Sequence, residues 1–348
     1  MKLTNKYGAP GSIVDAIHND PYTKDGADFS VTELIKPPQI RRLWQEHEDE
    51  ISIDVRDEMF KLLGTAVHNL LDSAPKCGQC DGTGEWWLGL DAYPSDIPTT
   101  IWEKFKVWSR LGGDSCAPCD SCDGTGVIDD GKTREKRFHA NHDGTSISGA
   151  VDLIGDDGAV IDYKVTSTYS VKRGLKEDWE KQLNLYAWLL RQNGVAVTSL
   201  NIVAICRDWA RSKVGTYQYP DSMVVTLKVP VWSESRQDRY LAERIRVHSM
   251  ESTLPCTTEE RWARGAYKVT GGRGRPKPFD SRHEAEKHLM VADNPKLKIV
   301  EAEARYIRCE DWCDVAPFCP QWTHANVAFA ENDFPIVNGK EGENERPK

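Results

Sequence analysis

The sequence predicts an α/β sandwich, and three observations predict it. Apolar residues recur at helical spacing between Arg56 and Asp72 and again between Lys176 and Gln192. Apolar and polar residues alternate at Ser148 to Ile154, Ala159 to Val165, Ser199 to Cys206 and around Met223 to Val231, as half-buried strands do. The order helix, insert, hairpin, helix, strand, strand interleaves the two kinds of element, which suits a layered α/β arrangement better than a helical bundle. The chain has 348 residues, 39% of them hydrophobic, enough for one large domain or two ordinary ones.

At the start, MKLTNKYGAP lacks the apolar run of a signal peptide, and no stretch approaches the ~20 apolar residues that span a bilayer, so a cytoplasmic protein without a membrane partner is expected. Residues 28 to 48 read as a capped helical segment broken at Pro37-Pro38 and resumed after it. In the next helix, Met59, Leu62, Leu63, Val67, Leu70 and Leu71 form a stripe expected to face a core, and Gly64 and His68 fall four apart on one face. There the glycine is expected to permit close approach and the imidazole to ligate a metal.

From Cys77 to Gly126 the chain becomes rich in Gly, Cys, Asp and Trp, with a short helical stretch near Thr100 to Arg110, as an inserted module would. It holds two copies of C-x-x-C-x-G-x-G, beginning at Cys77 and Cys119. In each copy the glycines let backbone N–H groups point at the thiolates, and Cys77, Cys80, Cys119 and Cys122 together make one tetrahedral Zn²⁺ site. Cys116 is a spare or alternate ligand. The repeat resembles the zinc-binding segments of DnaJ-type chaperones.

The hairpin that follows carries the chemistry. With a three-residue loop Asp156-Asp157-Gly158, Gly158 taking the left-handed conformation, Gly155 faces Ala159 and Asp152 lies opposite Asp162. Directly opposed carboxylates repel unless a cation sits between them, and a divalent metal resolves the conflict. Alternation puts Lys164 on the face of Asp162, where an ammonium can orient water or neutralise a phosphate. With a two-residue loop, Asp162 would instead face away. The next helix sets Gln182 and Tyr186 four apart and ends at Asn193-Gly194.

Beyond about residue 255 the composition changes. Cys309-x₃-Cys313-x₅-Cys319 supplies three ligands and wants a fourth, for which Cys256 is a better candidate than Cys206, set in an apolar strand and read as core. These four are expected to hold zinc or a [4Fe–4S] cluster. Residues 331 to 348 read as a polar, disordered tail. The expected organisation is thus 1–76, the N-terminal helical part of the core; 77–126, the inserted ribbon; 127–254, the core with its hairpin; 255–330, a basic and cysteine-bearing region; and the tail.

The net charge of −9 argues against a protein that coats nucleic acid, so any contact with it is local. Basic segments occur at Arg134, Lys136 and Arg137, at Lys172, Arg173 and Lys176, and at Arg261, Arg264, Lys268, Arg273, Arg275 and Lys277. The last interleaves Trp262, Tyr267 and Phe279, as a strand-tracking surface does; a solvated loop has the same composition.

In chain order, Gly64-x-x-x-His68, Gly149-x-x-Asp152, Asp162-x-Lys164 and Gln182-x-x-x-Tyr186 resemble the RecB-like branch of the PD-(D/E)XK nuclease superfamily over about residues 28 to 210. The resemblance implies a restriction-endonuclease-like core, a mixed central sheet flanked by helices, carrying the inserted ribbon and the cysteine-bearing C-terminal region. It implies Mg²⁺ or Mn²⁺ on His68, Asp152, Asp162 and the Tyr163 carbonyl, with Lys164 assisting water and Gln182 and Tyr186 beside the site. The acid before Lys164 is often glutamate in the superfamily and is aspartate here.

Several RecB-like nucleases hold an iron–sulfur cluster on one cysteine before the core and three after it spaced C-x₂-C-x₅-C. Here the first spacing is one longer and no cysteine precedes Gly64. The implied activity is a DNA exonuclease of the phage or bacterial kind, acting on linear or single-stranded ends in recombination, replication or end processing, with a single-strand annealing protein as a plausible partner. A structure-specific or CRISPR-adaptation-type nuclease is the nearest rival, and a catalytically inactive, zinc-organised DNA-binding protein the alternative of a different class.

Overall fold

A computed structural model describes residues 1–19, 24–87, 116–251, 254–272 and 274–323. The expected helical stretch near Thr100 to Arg110 and the expected tail lie outside them. The chain opens with β1 (Lys2–Thr4), α1 (Gly11–His18), β2 (Phe29–Ser30), α2 (Val31–Leu34), α3 (Pro38–Glu46), β3 (Ser52–Asp54) and α4 (Val55–Asp72). β4 (Glu85–Trp87) and β5 (Cys116–Pro118) belong to the ribbon. Then come β6 (Thr133–His142), β7 (Thr145–Ile154), β8 (Ala159–Thr166), α5 (Thr168–Lys172), α6 (Glu177–Gln192), β9 (Ser199–Cys206), β10 (Val224–Val229) and α7 (Glu234–His248). Last are β11 (Ala263–Arg264), β12 (Tyr267–Thr270), β13 (Lys277–Phe279), α8 (Arg282–Ala292), β14 (Lys298–Glu301) and β15 (Arg305–Tyr306).

Two compact units result, one of Ala9–Ile35 and Arg56–Arg246, the other of Met1–Gly8, Lys36–Val55 and Val247–Lys348. In the first, a six-stranded sheet runs β10-β9-β8-β7-β2 with β6 also on β7. It is mixed: β8 pairs parallel with β9 and β2 with β7, while β6–β7, β7–β8 and β9–β10 are antiparallel. Helix α6 supplies Leu183, Leu189 and Leu190 to a core shared with Ile147, Val151, Val160, Leu200 and Ile202, and α7 adds Leu241. This is the α/β sandwich the alternation predicts, with a central mixed sheet flanked by helices.

Local chemistry accounts for the element ends. Ser30 Oγ accepts from the Glu33 N–H at 3.1 Å while the Glu33 carboxylate accepts from the Ser30 N–H at 2.8 Å, a reciprocal cap on α2. Helix α3 begins at Pro38, whose missing N–H is harmless in a first turn. Asn193 caps α6 and Gly194 follows at φ 71°.

Two expectations need correction. The apolar stripe of α4 does not face a core: Leu70 is 76% and Leu63 42% exposed, and Val55 is the helix's buried residue. The helix instead turns Lys61, Gly64, Thr65, His68 and Asp72 toward a cleft, so its polar and small face is the inward one. Nor does Gly64 serve close packing, since a Cβ there would meet nothing within 4 Å. The basic segment at Arg134 to Arg137 lies in a ten-residue strand, β6, which pairs with β7 on either side of Glu135.

In the second unit β1 and β3 pair in parallel, and Asp54 accepts from the Thr4 hydroxyl and the Lys6 N–H at 2.8 and 2.9 Å. Leu43, Ile51, Ile53, Val315 and Cys319 form its core. Here β12, β13 and β14 make an antiparallel sheet in the order β13-β12-β14, against which α8 packs.

Candidate active site

Gly155 N donates to Ala159 O at 2.8 Å and Gly158 N to Gly155 O at 3.0 Å, with Gly158 at φ 80°, so the β7–β8 loop is the three-residue one. The ladder pairs Leu153 with Ile161 and Ile154 with Val160, and its continuation sets Asp152 opposite Asp162. At that point the strands part. The Tyr163 N–H donates to Asp152 Oδ2 at 2.8 Å, a side chain replacing the backbone acceptor and leaving a gap in the sheet.

His68 reaches this gap from α4. Its Nε2 lies 2.9 Å from the Tyr163 carbonyl oxygen, and its Nδ1 3.5 Å from Asp152 Oδ2 and 3.2 Å from Glu135 Oε1. His68, Glu135 and Asp152 bring one ligand atom each within 4.8 Å of one another; Asp162 does not join that set, although it lines the same cleft of about 490 Å³. Asp162 is 1% exposed, and among the described residues neither carboxylate oxygen has a hydrogen-bond partner. Lys164 Nζ stands 2.8 Å from its Oδ2, an ion pair without hydrogen-bond angles.

These surroundings shift the titrations. Burial, then the charge of Asp162, pushes the Asp152 carboxyl up to about 7. The hydrogen bond to Glu135 raises His68 against the opposing effect of burial. Such a crowd of carboxylates with an imidazole is the donor set that a hard divalent cation takes.

Gln182 and Tyr186 line the cleft from α6, with Gln182 Nε2 donating to the Tyr186 hydroxyl at 3.0 Å. Here Gly149 has its reason: a Cβ would come within 2.8 Å of Tyr186 Cε1, so the strand and helix approach this closely only without a side chain.

Glu135 is the residue the sequence reading missed. Its strand partner by register is Asp152, since Arg134 pairs with Leu153 and Lys136 with Val151. Its φ of 38° breaks the ladder there, the kind of backbone strain that concentrates at functional sites. The turn at Asp143-Gly144 was the available signal, because counting back from it sets 135 against 152.

The ribbon cysteines Cys77, Cys80, Cys119 and Cys122 are all buried, with Sγ–Sγ distances of 3.8 Å (Cys77–Cys119) and 3.7 Å (Cys80–Cys122). A tetrahedral ion with Zn–S bonds of about 2.3 Å sets its thiolates about 3.8 Å apart, so the cluster fits zinc. Gly84 N donates to Cys80 Sγ at 3.3 Å and Gly126 N to Cys122 Sγ at 3.2 Å. Gly84 and Gly126 have φ of 77° and 78°, and a Cβ on either would overlap the opposite knuckle's carbonyl oxygen. Burial opposes ionisation of Cys80, yet the Gly84 N–H and the neighbouring thiols bring it down to about 7. The Cys116 side chain lies outside what is described.

Cys256, Cys309, Cys313 and Cys319 line one cavity of the second unit, while Cys206 is buried in β9 of the first. Among the described residues, no three of these four thiols come within the 4.8 Å that unites the ribbon set. Burial, Glu260 and the other three thiols push Cys256 up to about 12, and burial raises Cys313 to about 11. Arg261 lines the same cavity, 8% exposed, its guanidinium over the Tyr306 ring and its Nε and Nη2 without hydrogen-bond partners among the described residues.

Carboxylates and a lysine at the parting of two strands in a mixed sheet define a metal-dependent phosphodiester-hydrolase type of site. A family model, the PD-(D/E)XK nuclease superfamily, matches residues 42–320, and the chain belongs to this superfamily. Membership implies a metal-dependent nuclease with DNA as substrate. No curated protein matches the sequence. Among solved structures, that described as "Crystal structure of SSO0001" is 15% identical, with a TM-score of 0.40 over 73% of this chain and 92% of that one. No helix among the described residues is long and apolar enough to cross a membrane.

Proposed function

We propose that the chain is a RecB-like DNA exonuclease, dependent on Mg²⁺ or Mn²⁺, that acts at DNA ends in recombination, replication or end processing. The observation that carries this reading is Asp162: a buried carboxylate whose two oxygens lack hydrogen-bond partners among the described residues, beside Asp152 and ion-paired to Lys164 in an open cleft. The ligands are His68, Asp152, Asp162 and the Tyr163 carbonyl. A cation there supplies Lewis acidity toward water and compensates the charge that builds on the phosphate.

The chain's own groups do the rest. Lys164 holds the attacking water and a phosphate oxygen. Asp152 takes its charged form once its negative neighbours are compensated. Glu135 accepts the Nδ1–H of His68, which leaves the Nε2 lone pair facing the ligand side. Tyr186, fixed by Gln182, borders the substrate. On Cys256, Cys309, Cys313 and Cys319 we place a [4Fe–4S] cluster, because a cluster that takes one thiolate per iron needs wider spacing than one zinc, and Arg261 offers donors to its negative charge. Zinc belongs to the ribbon.

Linear and closed circular DNA, incubated with and without Mg²⁺ and with Asp162→Ala, test the reading. Metal-dependent loss of linear DNA alone is expected. Cutting of the circle would show an endonuclease, and no cleavage, or equal cleavage by the variant, an inactive binding protein. Iron content and the visible absorption spectrum test the cluster.

A further inference from the structure

The chain carries a net −9, yet the small sheet between Cys256 and Cys309 gathers cations without counter-ions. Val269 is buried on the face that α8 covers, and Phe279, opposite Tyr267, meets His288 of that helix at 5.1 Å between rings. Alternation turns Lys268, Thr270, Pro278, Lys298 and Val300 to the other face. Lys268, Lys298 and Val300 are exposed there. Among the described residues none of Lys268, Arg275, Lys296 and Lys298 has an ion-pair partner. Of the carboxylates nearby, Asp280 pairs with Arg264 and the Gly265 N–H, Glu284 caps α8 and Glu286 pairs with Arg282, while Glu301, which no ion pair engages among the described residues, alternates onto the α8 face opposite Tyr267.

One end of this face leads into the β12–β13 turn. That turn reads Gly271-Gly272-Arg273-Gly274-Arg275-Pro276, of which Arg273 is outside the described residues. Gly271, at φ 92°, lies so close to the Lys296 carbonyl that a Cβ would overlap it, which ties the base of the turn to the loop bearing Lys296. Beyond that anchor Gly274, at φ 119°, has nothing within 4 Å of its Cβ position, and Arg275 and Pro276 are exposed. Arg275, exposed between a glycine and a proline and without an ion pair among the described residues, is an arginine with little side-chain bulk beside it, as entry into a minor groove requires. A·T tracts narrow that groove and deepen its negative potential, which draws arginine.

We propose that this sheet is a duplex-DNA-binding surface: Arg275 enters an A·T-rich minor groove while Lys268, Lys296 and Lys298 contact the phosphates beside it. The proposal rests on the DNA-nuclease reading and adds where and how duplex is held, independently of the cleft. A nucleic-acid face of this kind needs no net positive chain, only local cations whose counter-ions are released.

The test is fluorescence anisotropy with the full chain and no added Mg²⁺ or Mn²⁺, on A·T-only and G·C-only duplexes and a single strand of equal length. The A·T duplex is expected to bind tightest. Lys268→Ala with Lys298→Ala should weaken both duplexes alike and lower the slope of log affinity against log salt by about 2. Arg275→Ala should abolish the A·T preference. Unchanged affinity and slope in these variants, or tighter binding of the single strand, would overturn the proposal. All three residues are exposed, and an unchanged melting curve confirms that the variants fold. Cleavage assays on the same proteins separate the two ideas, since an active nuclease with unaltered binding sinks only the surface.

Discussion

Asp152 is held in a conflict that a cation resolves. Burial and Asp162 raise it from 3.8 to about 7, so between those values the folded chain keeps a proton that the unfolded chain releases. Its contribution to stability is therefore full below about pH 4 and lost as pH rises through about 7, by roughly 4 kcal/mol at most. Added Mg²⁺ should raise the melting temperature more at about pH 8 than at about pH 5, and Asp152→Asn should shrink that difference; equal gains at both values would refute the account. Glu135 gives a second test. Glu135→Gln should weaken Mn²⁺ binding about 10- to 100-fold in calorimetry, with partial recovery in Glu135→Asp. Unaltered affinity would mean that the contact with His68 is incidental. His68, Asp152, Asp162 and Lys164 were legible as ordered short patterns. Glu135 was hidden because its strand reads as a run of charges, and only the register of β6 on β7 reveals it.

Elements with one clean period were legible and those serving two surroundings were not. The strand Ser199–Cys206 and the end of α6 match their patterns to the residue. Helix α4 misleads because its inward face borders an open cleft rather than a core, so the apolar stripe is not the buried one. Helix α7, with the sequence ESRQDRYLAERIRVH, carries too few apolar residues to announce itself, and the short strands of the second unit lie under a basic composition. Gly149 shows how an element contact is written in one residue. Gly149→Ala must push Tyr186 away or bend β7, at a cost of about 1–3 kcal/mol, and should lower the midpoint of urea unfolding. Should the midpoint stay put, the close approach of β7 and α6 is not what the glycine serves. In the ribbon, Cys119→Ser should abolish bound zinc with the sheet's circular dichroism preserved, since the knuckles hold one another through Cys77 N to Gly126 O and Cys119 N to Gly84 O, both 2.8 Å.

At the scale of the molecule, each unit has its own core, and the two differ in what sustains them. The first buries a continuous set from Phe29 to Leu241 across a six-stranded sheet. The second has Leu43, Ile51, Ile53 and Val315 together with Cys319, so one of the proposed cluster ligands is itself a core residue. Gln39 donates to Cys319 Sγ at 3.4 Å and accepts the Cys256 N–H at 2.9 Å, which joins the early helix α3 to cysteines far along the chain. A small core tied through such ligands would, with the proposed cluster bound, draw folding free energy from it. Calorimetry should accordingly resolve two transitions rather than one two-state event. Oxidative loss of iron should lower the transition of the second unit and leave that of the first in place, while chelation of zinc should disturb the first. A single transition that shifts as a whole when iron is lost would show that the cluster supports both units, and the separate cores would then not be the units of stability.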